Sequence, residues 1–213
     1  MVEVNRSMDE LQVLEAEVRS CPRCRLSEAR KRAVPGEGDR HAAIMFIGEA
    51  PGFWENEEGR PFVGPAGKLL EELLAGIGLG REDVYITNVL KCRPPNNRDP
   101  LPDELTACHG YLERQIALIR PRLIVTLGRF SMAKFFPPGK GMRDLHGKTV
   151  RYGRTTCLAM YHPAAALRQA SLKQVLEDDF RKIPGLLERA EADFEGEDAP
   201  AVPVQPPEQL SLF

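Results

Sequence analysis

The sequence predicts an α/β domain: a three-layer α/β/α sandwich around a four-stranded, largely parallel sheet. Three observations carry that reading. Four short, uncharged and mostly apolar runs, Ala42 to Ile47, Val84 to Val89, Leu123 to Leu127 and Cys157 to Met160, read as strands buried on both faces. Stretches with helical apolar spacing separate them, which is the alternation of a parallel sheet with crossover helices. Right-handed crossovers then place helices on both sides.

Taken in order, Met8 to Val18 carries Met8, Leu11, Val13, Leu14 and Val18 and reads as a short helix ending before Cys21-Pro22-Arg23-Cys24. Val34 to Arg40 is a turn-rich approach to the first strand. After that strand comes Gly48 to Gly67, with five glycines, three prolines and three aromatics. A connection that only turned a corner would need about two to six residues. One this long, stiffened by proline and opened by glycine, is expected to build a site. Leu69 to Ile77 is a helix with Leu69, Leu70, Leu73, Leu74 and Ile77 on one face. Arg93 to Pro102 is crowded with Pro and Asn and cannot be helical. Asp103 and Glu104 then open a helix, where negative charge suits the dipole, with a stripe at Leu105, Cys108, Leu112, Ile116 and Ile119. Phe130 to Phe136 is a short helix, Met142 to Arg154 a hairpin, and Val175 to Ala190 the last helix.

The 213 residues suffice for one well-buried domain, expected over residues 1–190, plus a tail over 191–213. No apolar run approaches the roughly 18 residues of a membrane span. The first residues lack the apolar stretch of a signal peptide, so a cytoplasmic protein is expected; a monomer is expected as well. The tail holds six acids and no Lys or Arg; without them the formal net charge of −2 becomes +4. A mildly basic domain permits a phosphate-backbone partner. The tail is acidic and Pro-rich, so disorder is expected from Glu191 to about Glu208.

In parallel sheets ligands bind beyond the carboxyl ends of the strands. Here those ends carry Glu49, Asn88, Gly128-Arg129 and His162. Four segments thus bring a carboxylate, an amide, a guanidinium and an imidazole to one rim, with Phe62 as a flat apolar face. Taken singly, each has a plainer reading: Asn88 as a strand-end cap, His162 as a turn residue before Pro163, Phe62 as core.

The set Gly48-Glu49-Ala50-Pro51-Gly52, Gly59-Arg60-Pro61-Phe62-Val63-Gly64, Thr87-Asn88 and His162-Pro163 resembles the family 4 uracil-DNA glycosylases, the iron–sulfur branch of their superfamily. The likeness runs from about Cys21 to Leu187. It implies hydrolysis of the N-glycosidic bond of deoxyuridine in DNA, leaving an abasic site. Glu49 and His162 would be catalytic, and Gly48, Ala50, Phe62 and Asn88 would bind the base. Uracil offers an N3–H donor between two acceptor oxygens; Asn88 can accept from N3–H and donate to O4, a pattern cytosine reverses. In another branch of the superfamily the water-positioning carboxylate is an Asp one place later in this loop, where this chain has Ala50, so Glu49 would take that role from the neighbouring position. Arg129, His146, Lys148 and Arg168 are candidates to touch phosphates, against the plainer reading of solvated surface.

Five cysteines, an odd number, argue against a disulfide framework. Cys21 and Cys24 form a ligand pair, and Cys92 and Cys108 bracket the Pro-rich loop. Four thiolates suit zinc or an iron–sulfur cluster equally by spacing; the resemblance implies a 4Fe-4S cluster on Cys21, Cys24, Cys92 and Cys108. Such a cluster would tie the N-terminal segment to the loop Arg93 to Pro102, for which the sequence suggests no other anchor. Cys157 reads as a core thiol. Two other readings are a redox-responsive DNA-binding module without catalysis, and a branch that bonds covalently to the abasic sugar through a histidine on an inserted loop. The polar rim disfavours the first; the segment PPNNRDP after Cys92, without histidine, disfavours the second. Lastly, Gln209-Leu210-Ser211-Leu212-Phe213 resembles the bacterial sliding-clamp binding peptide.

Overall fold

The computed structural model describes residues 2–196. Helix α1 (Val2–Ser20) runs further at both ends than the expected Met8 to Val18, and Leu11, Leu14 and Val18 are buried on one of its faces. A single turn, α2 (Leu26–Ala29), follows the first cysteine pair. Strands β1 (Glu37–Gly38) and β2 (Ile44–Gly48) lead to α3 (Phe53–Glu58) and α4 (Pro65–Ala75), and then to β3 (Tyr85–Asn88). Helix α5 (Pro102–Ile119) precedes β4 (Leu123–Leu127), α6 (Arg129–Ala133) and α7 (Met142–Leu145). Strands β5 (Thr149–Tyr152) and β6 (Thr155–Met160) are followed by α8 (Pro163–Arg168), α9 (Ser171–Phe180) and α10 (Ile183–Gly196).

The sheet order is β1-β3-β2-β4-β6-β5. Its four central strands are parallel and are the four expected from sequence; both outer strands are antiparallel. The sheet therefore has six strands rather than four. The two extra ones have a physical reason for escaping notice. Glu37–Gly38 is two residues long, and Thr149–Tyr152 is exposed or half-exposed throughout, so neither needs an apolar run. The expected hairpin over Met142 to Arg154 is displaced for the same reason. Its first part is helix α7, and the hairpin is β5–β6, turning at Gly153 with φ 57°.

Alternate residues of β2 face opposite layers, as the pleat requires. Met45 and Ile47 join the core beneath α1 and α5, whereas Ile44 and Phe46 join the core with α4, α9 and Ile183 of α10. That makes three layers. Two further elements differ from expectation. Helix α4 starts at Pro65, where a proline is favoured in the first turn because its missing N–H needs no partner there. The single helix expected over Val175 to Ala190 is two, broken at Arg181-Lys182 just before Pro184, whose ring cannot continue a helix from behind. Helix α10 also passes the expected boundary at Ala190 and reaches Gly196, so residues 191–196 are helical where disorder was expected. Among the described residues no helix is long and apolar enough to cross a membrane.

Candidate active site

In-register pairing places Gly48, the last residue of β2, beside Asn88, the last of β3. A β-carbon on Gly48 would lie 2.3 Å from Asn88 Oδ1 and 2.7 Å from Cζ of Phe62, so glycine is what lets the amide and the ring meet. Asn88 is 2% exposed, and its Oδ1 is buried without a hydrogen-bond partner among the described residues. A buried acceptor left unmet costs about 1–3 kcal/mol, which makes it a feature that calls for a ligand or a water.

Phe62 stands in the left-handed region at φ 53°, uncommon for a bulky residue and worth about 1–3 kcal/mol of strain. The surroundings hold it there. Arg81 donates from Nη1 to the Phe62 carbonyl (2.8 Å) and from Nη2 to the Pro61 carbonyl (2.6 Å), and is itself paired with Glu37 and Glu71. A β-carbon on Gly67 would sit 1.9 Å from the Phe62 carbonyl oxygen, so α4 can pack this close only through a glycine. The loop is clamped from the other side by Glu55, whose carboxylate accepts from the amides of Gly52 (3.0 Å), Val63 (2.9 Å) and Gly64 (3.0 Å). Neither Glu55 nor Arg81 was singled out by sequence. The one signal for Glu55 was its place three residues after Gly52, a capping position.

His162 caps α8, its Nδ1 accepting from the Ala164 amide at 3.1 Å. That bond leaves the ring proton on Nε2. Burial pushes the imidazole down to about 4, so at neutral pH it is an uncharged donor. Its ring stacks on Phe62 with centroids 5.5 Å apart and planes 24° apart. Gly128, at φ 94°, admits it: a β-carbon there would lie 3.2 Å from His162 Cβ. Glu49 is half-buried, and its carboxyl is raised above the usual range by burial and by nearby Asp99, with Arg129 opposing.

A cavity of about 330 Å³ gathers Glu49, Ala50, Phe62, Asn88, His162 and Arg168. Its size lies at the small end of ligand pockets. Pro94, Asn97 and Arg98 of the Pro-rich loop close one side. That loop has an anchor the sequence did not suggest: buried Glu104 accepts from Arg98 and from the Leu101 amide (2.9 Å), and the Arg98 guanidinium holds its carboxyl below the usual range. The remaining predicted residues do not line the cavity. Arg129 pairs with Asp99 and lies over Phe130, His146 is bound to buried Asp179 (3.1 Å), and Lys148 is exposed.

A second, small cavity is lined by Cys21, Cys24, Cys92 and Cys108 together. Three of the four sulfurs accept N–H groups: Cys21 from the Arg23 amide (3.5 Å), Cys92 from Arg30 Nη1 (3.2 Å) and Cys108 from the Lys91 amide (3.3 Å). Cys157 is buried within β6, away from them, and its thiol is pushed up to about 12 by burial. Among the described residues, no group of three or more His, Cys, Asp or Glu is placed to hold a metal ion.

Fold and site together define a class of protein: an α/β domain whose parallel strands deliver an amide, a carboxylate and a neutral imidazole around a pocket with one aromatic wall. The family model described as the uracil DNA glycosylase superfamily matches residues 35–183, and the chain belongs to that superfamily, within its type-4 branch. It is 53% identical over 186 residues to the type-4 uracil-DNA glycosylase of Saccharolobus solfataricus, covering 83% of this chain and 86% of that one. Identity with the type-4 uracil-DNA glycosylase of Archaeoglobus fulgidus is 48% over 188 residues, covering 83% and 92%. With the type-5 uracil-DNA glycosylase of Thermus thermophilus it falls to 39% over 116 residues, covering 47% and 52%.

Proposed function

We propose that this chain, a uracil-DNA glycosylase by family, takes uracil out of the DNA stack into the cavity beside Asn88 and hydrolyses its N-glycosidic bond, the first step of base excision repair. The observation that carries the reading is the orphaned Asn88 Oδ1, an acceptor poised for N3–H, with the amide Nδ2 available to O4. Phe62 supplies the stacking face, and Gly48 and Ala50 leave room for it. The Nε2–H of His162 donates to O2 as negative charge develops on the departing ring. Water adds to C1′ as the bond from C1′ to N1 breaks; uracil leaves as its anion, and the water's proton passes to Glu49, whose raised basicity suits it to that task. Arg168 at the cavity rim and exposed Lys148 are the better placed of the phosphate candidates, since Arg129 and His146 already have acidic partners.

A uracil-containing oligonucleotide treated with the protein and then with alkali should be cut at the uracil. Asn88→Asp, which accepts but cannot donate to O4, should lose most of that cutting. Unchanged kinetics would remove Asn88 from the pocket.

Cys21, Cys24, Cys92 and Cys108 would hold the 4Fe-4S cluster. They fit the group in two respects: all four line one cavity, and N–H donors reach three of the sulfurs, as cluster sulfurs commonly require. Four thiolates suit zinc as well, and the choice of the cluster rests on the likeness to the type-4 glycosylases. Protein prepared without air should be brown and contain iron and sulfide; stoichiometric zinc without iron would overturn the assignment. The division into a domain over 1–190 and a tail over 191–213, a boundary that α10 overruns to Gly196, a monomeric state and a sliding-clamp partner are also part of this reading. The clamp peptide, Gln209-Leu210-Ser211-Leu212-Phe213, lies outside the described residues and is supported by its sequence alone. Deleting residues 209–213 should abolish binding to purified clamp and leave excision on a short oligonucleotide unchanged.

A further inference from the structure

The chemistry at Asn88 and His162 makes no use of an aromatic pair beside the same cavity. Phe53 and Trp54 open α3 and are 47% and 53% exposed. They stand between Gly52 and Glu55, both of which line the cavity. Their rings meet edge to face, with centroids 5.2 Å apart and planes at 85°. Single exposed apolar side chains are ordinary, but two adjacent aromatics at the rim of a site are not.

Their position relative to the pocket is fixed. The carboxylate of Glu55, in the same turn, is the clamp on Gly52, Val63 and Gly64. A β-carbon on Gly64 would come within 3.0 Å of Trp54 Cδ1, so the indole lies along the segment that carries Phe62. From the Pro-rich loop, Arg93 places its guanidinium carbon 5.3 Å from the Phe53 centroid and donates from Nε to Asn97 Oδ1 at 2.7 Å. Asn97 lines the cavity too. A cation therefore links the start of α3 to the Pro-rich loop next to the exposed rings.

We propose that Phe53 and Trp54 are a stacking platform for an unpaired base neighbouring the extruded uracil in single-stranded DNA, with Arg93 meeting the intervening phosphate. The proposal rests on the uracil-DNA reading. Once one nucleotide enters the cavity, its neighbours in the strand must cross the rim where the rings stand, and continuity and charge both match. Stacking on aromatic faces together with cationic backbone contact is how single strands are held without sequence preference. In a duplex the neighbouring bases are paired and already stacked, so the platform gives the single strand an advantage the duplex does not share.

Trp54 is the single tryptophan of the chain, so its emission reads the platform alone. We would titrate the full chain with a uracil-free single-stranded oligonucleotide and with its duplex, following binding separately by anisotropy of a labelled strand. Quenching as the single strand binds, without quenching by the duplex, is expected. The variant Phe53→Ala/Trp54→Ala should raise KM on single-stranded uracil substrate by about 5- to 100-fold, as loss of base stacking predicts. Single-turnover rates at saturation should stay within about threefold, and the loss on duplex should be smaller. Binding of the single strand with no change in emission, or equal losses on both substrates, would overturn the proposal. So would emission that shifts with protein concentration alone, which would assign the pair to a second copy of the chain. Trp54 quenching in a protein that excises no uracil would sustain the platform and count against the glycosylase reading instead.

Discussion

The side-chain oxygen of Asn88 stands 2.3 Å from where a β-carbon on Gly48 would be. The two residues end adjacent parallel strands in register, so neither can withdraw without disturbing the sheet. Gly48→Ala should therefore push aside the Asn88 amide and the Phe62 ring together. Overpacking of this kind costs about 1–3 kcal/mol of stability. Activity should fall further, by at least about 100-fold in kcat/KM, since misplacement by about 1 Å can have that effect. Thermal unfolding and single-turnover excision measured on the same preparation would separate the two losses; an active Ala variant would mean the pocket has slack the geometry does not suggest.

What the sequence disclosed follows from what each element buries. The four central strands lie between two layers and so appear as uninterrupted apolar runs, while β1 and β5 at the edges do not. The rim residues Glu49, Asn88 and His162 were legible because strand order alone brings the carboxyl ends together. The supports of the site were not. Arg81 reaches Phe62 from 19 residues away and Glu55 reaches Gly64 from nine, contacts that leave no periodic trace. The left-handed turn at Phe62 was hidden because a phenylalanine does not advertise a positive φ as glycine does.

His162 carries its proton on Nε2 and stays neutral far below the usual histidine range. His162→Ala should slow single-turnover excision by roughly 100- to 1000-fold, the loss expected of one donor at a developing anion, with little change in DNA affinity. The pH profile is a sharper check. No inflection near 6.5 should come from this residue, because it does not charge until about pH 4. Its effect on stability has a defined sign. The folded pKa lies below the unfolded one, so the neutral ring stabilises fully above about pH 6.5 and that contribution is lost as pH falls toward about 4. The difference in unfolding midpoint between parent and variant should follow that slope; an inflection of kcat near 6.5 that vanishes in the variant would overturn the neutral assignment.

Glu49 has the opposite shift. Its folded pKa is raised, so the stability tied to its proton is present at low pH and lost as pH rises through the folded value. Burial thus makes the ionised carboxylate the disfavoured form in the folded protein. Glu49→Gln should hold or raise the unfolding midpoint at neutral pH while cutting the rate of excision, and it should remove an acidic limb that lies above the ordinary carboxylate range. A variant that is both less stable and fully active would place Glu49 in the scaffold rather than in the chemistry.

A buried lysine holds the strand end that carries Asn88. Lys91 is 1% exposed, and its Nζ donates to Thr87 Oγ1 (2.6 Å), the Asn88 carbonyl (2.7 Å) and Gln115 Oε1 (2.6 Å). Three donors meet three acceptors. Thr87 and Gln115 each pass a further bond to the Pro35 carbonyl, at 2.8 Å in both cases, and Gln115 also reaches the Tyr85 hydroxyl at 3.2 Å. Burial pushes the amine down to about 7, and Nζ ties the end of β3 to α5 and to the approach to the sheet. Lys91→Met keeps the length and much of the volume but strands the acceptors. One buried acceptor left unmet costs about 1–3 kcal/mol, and 1 kcal/mol shifts the midpoint of a domain this size by about 2–4 °C. A drop of at least that size is expected, because the three acceptors share one network and cannot all relax. Excision measured well below the new midpoint should also fall, since the carbonyl released belongs to the residue that reads the base. Thr87→Val, which removes one partner and leaves the amine on Asn88, should lose less on both counts. If Lys91→Met matched the parent in midpoint and rate, the strand end would be held by the sheet alone.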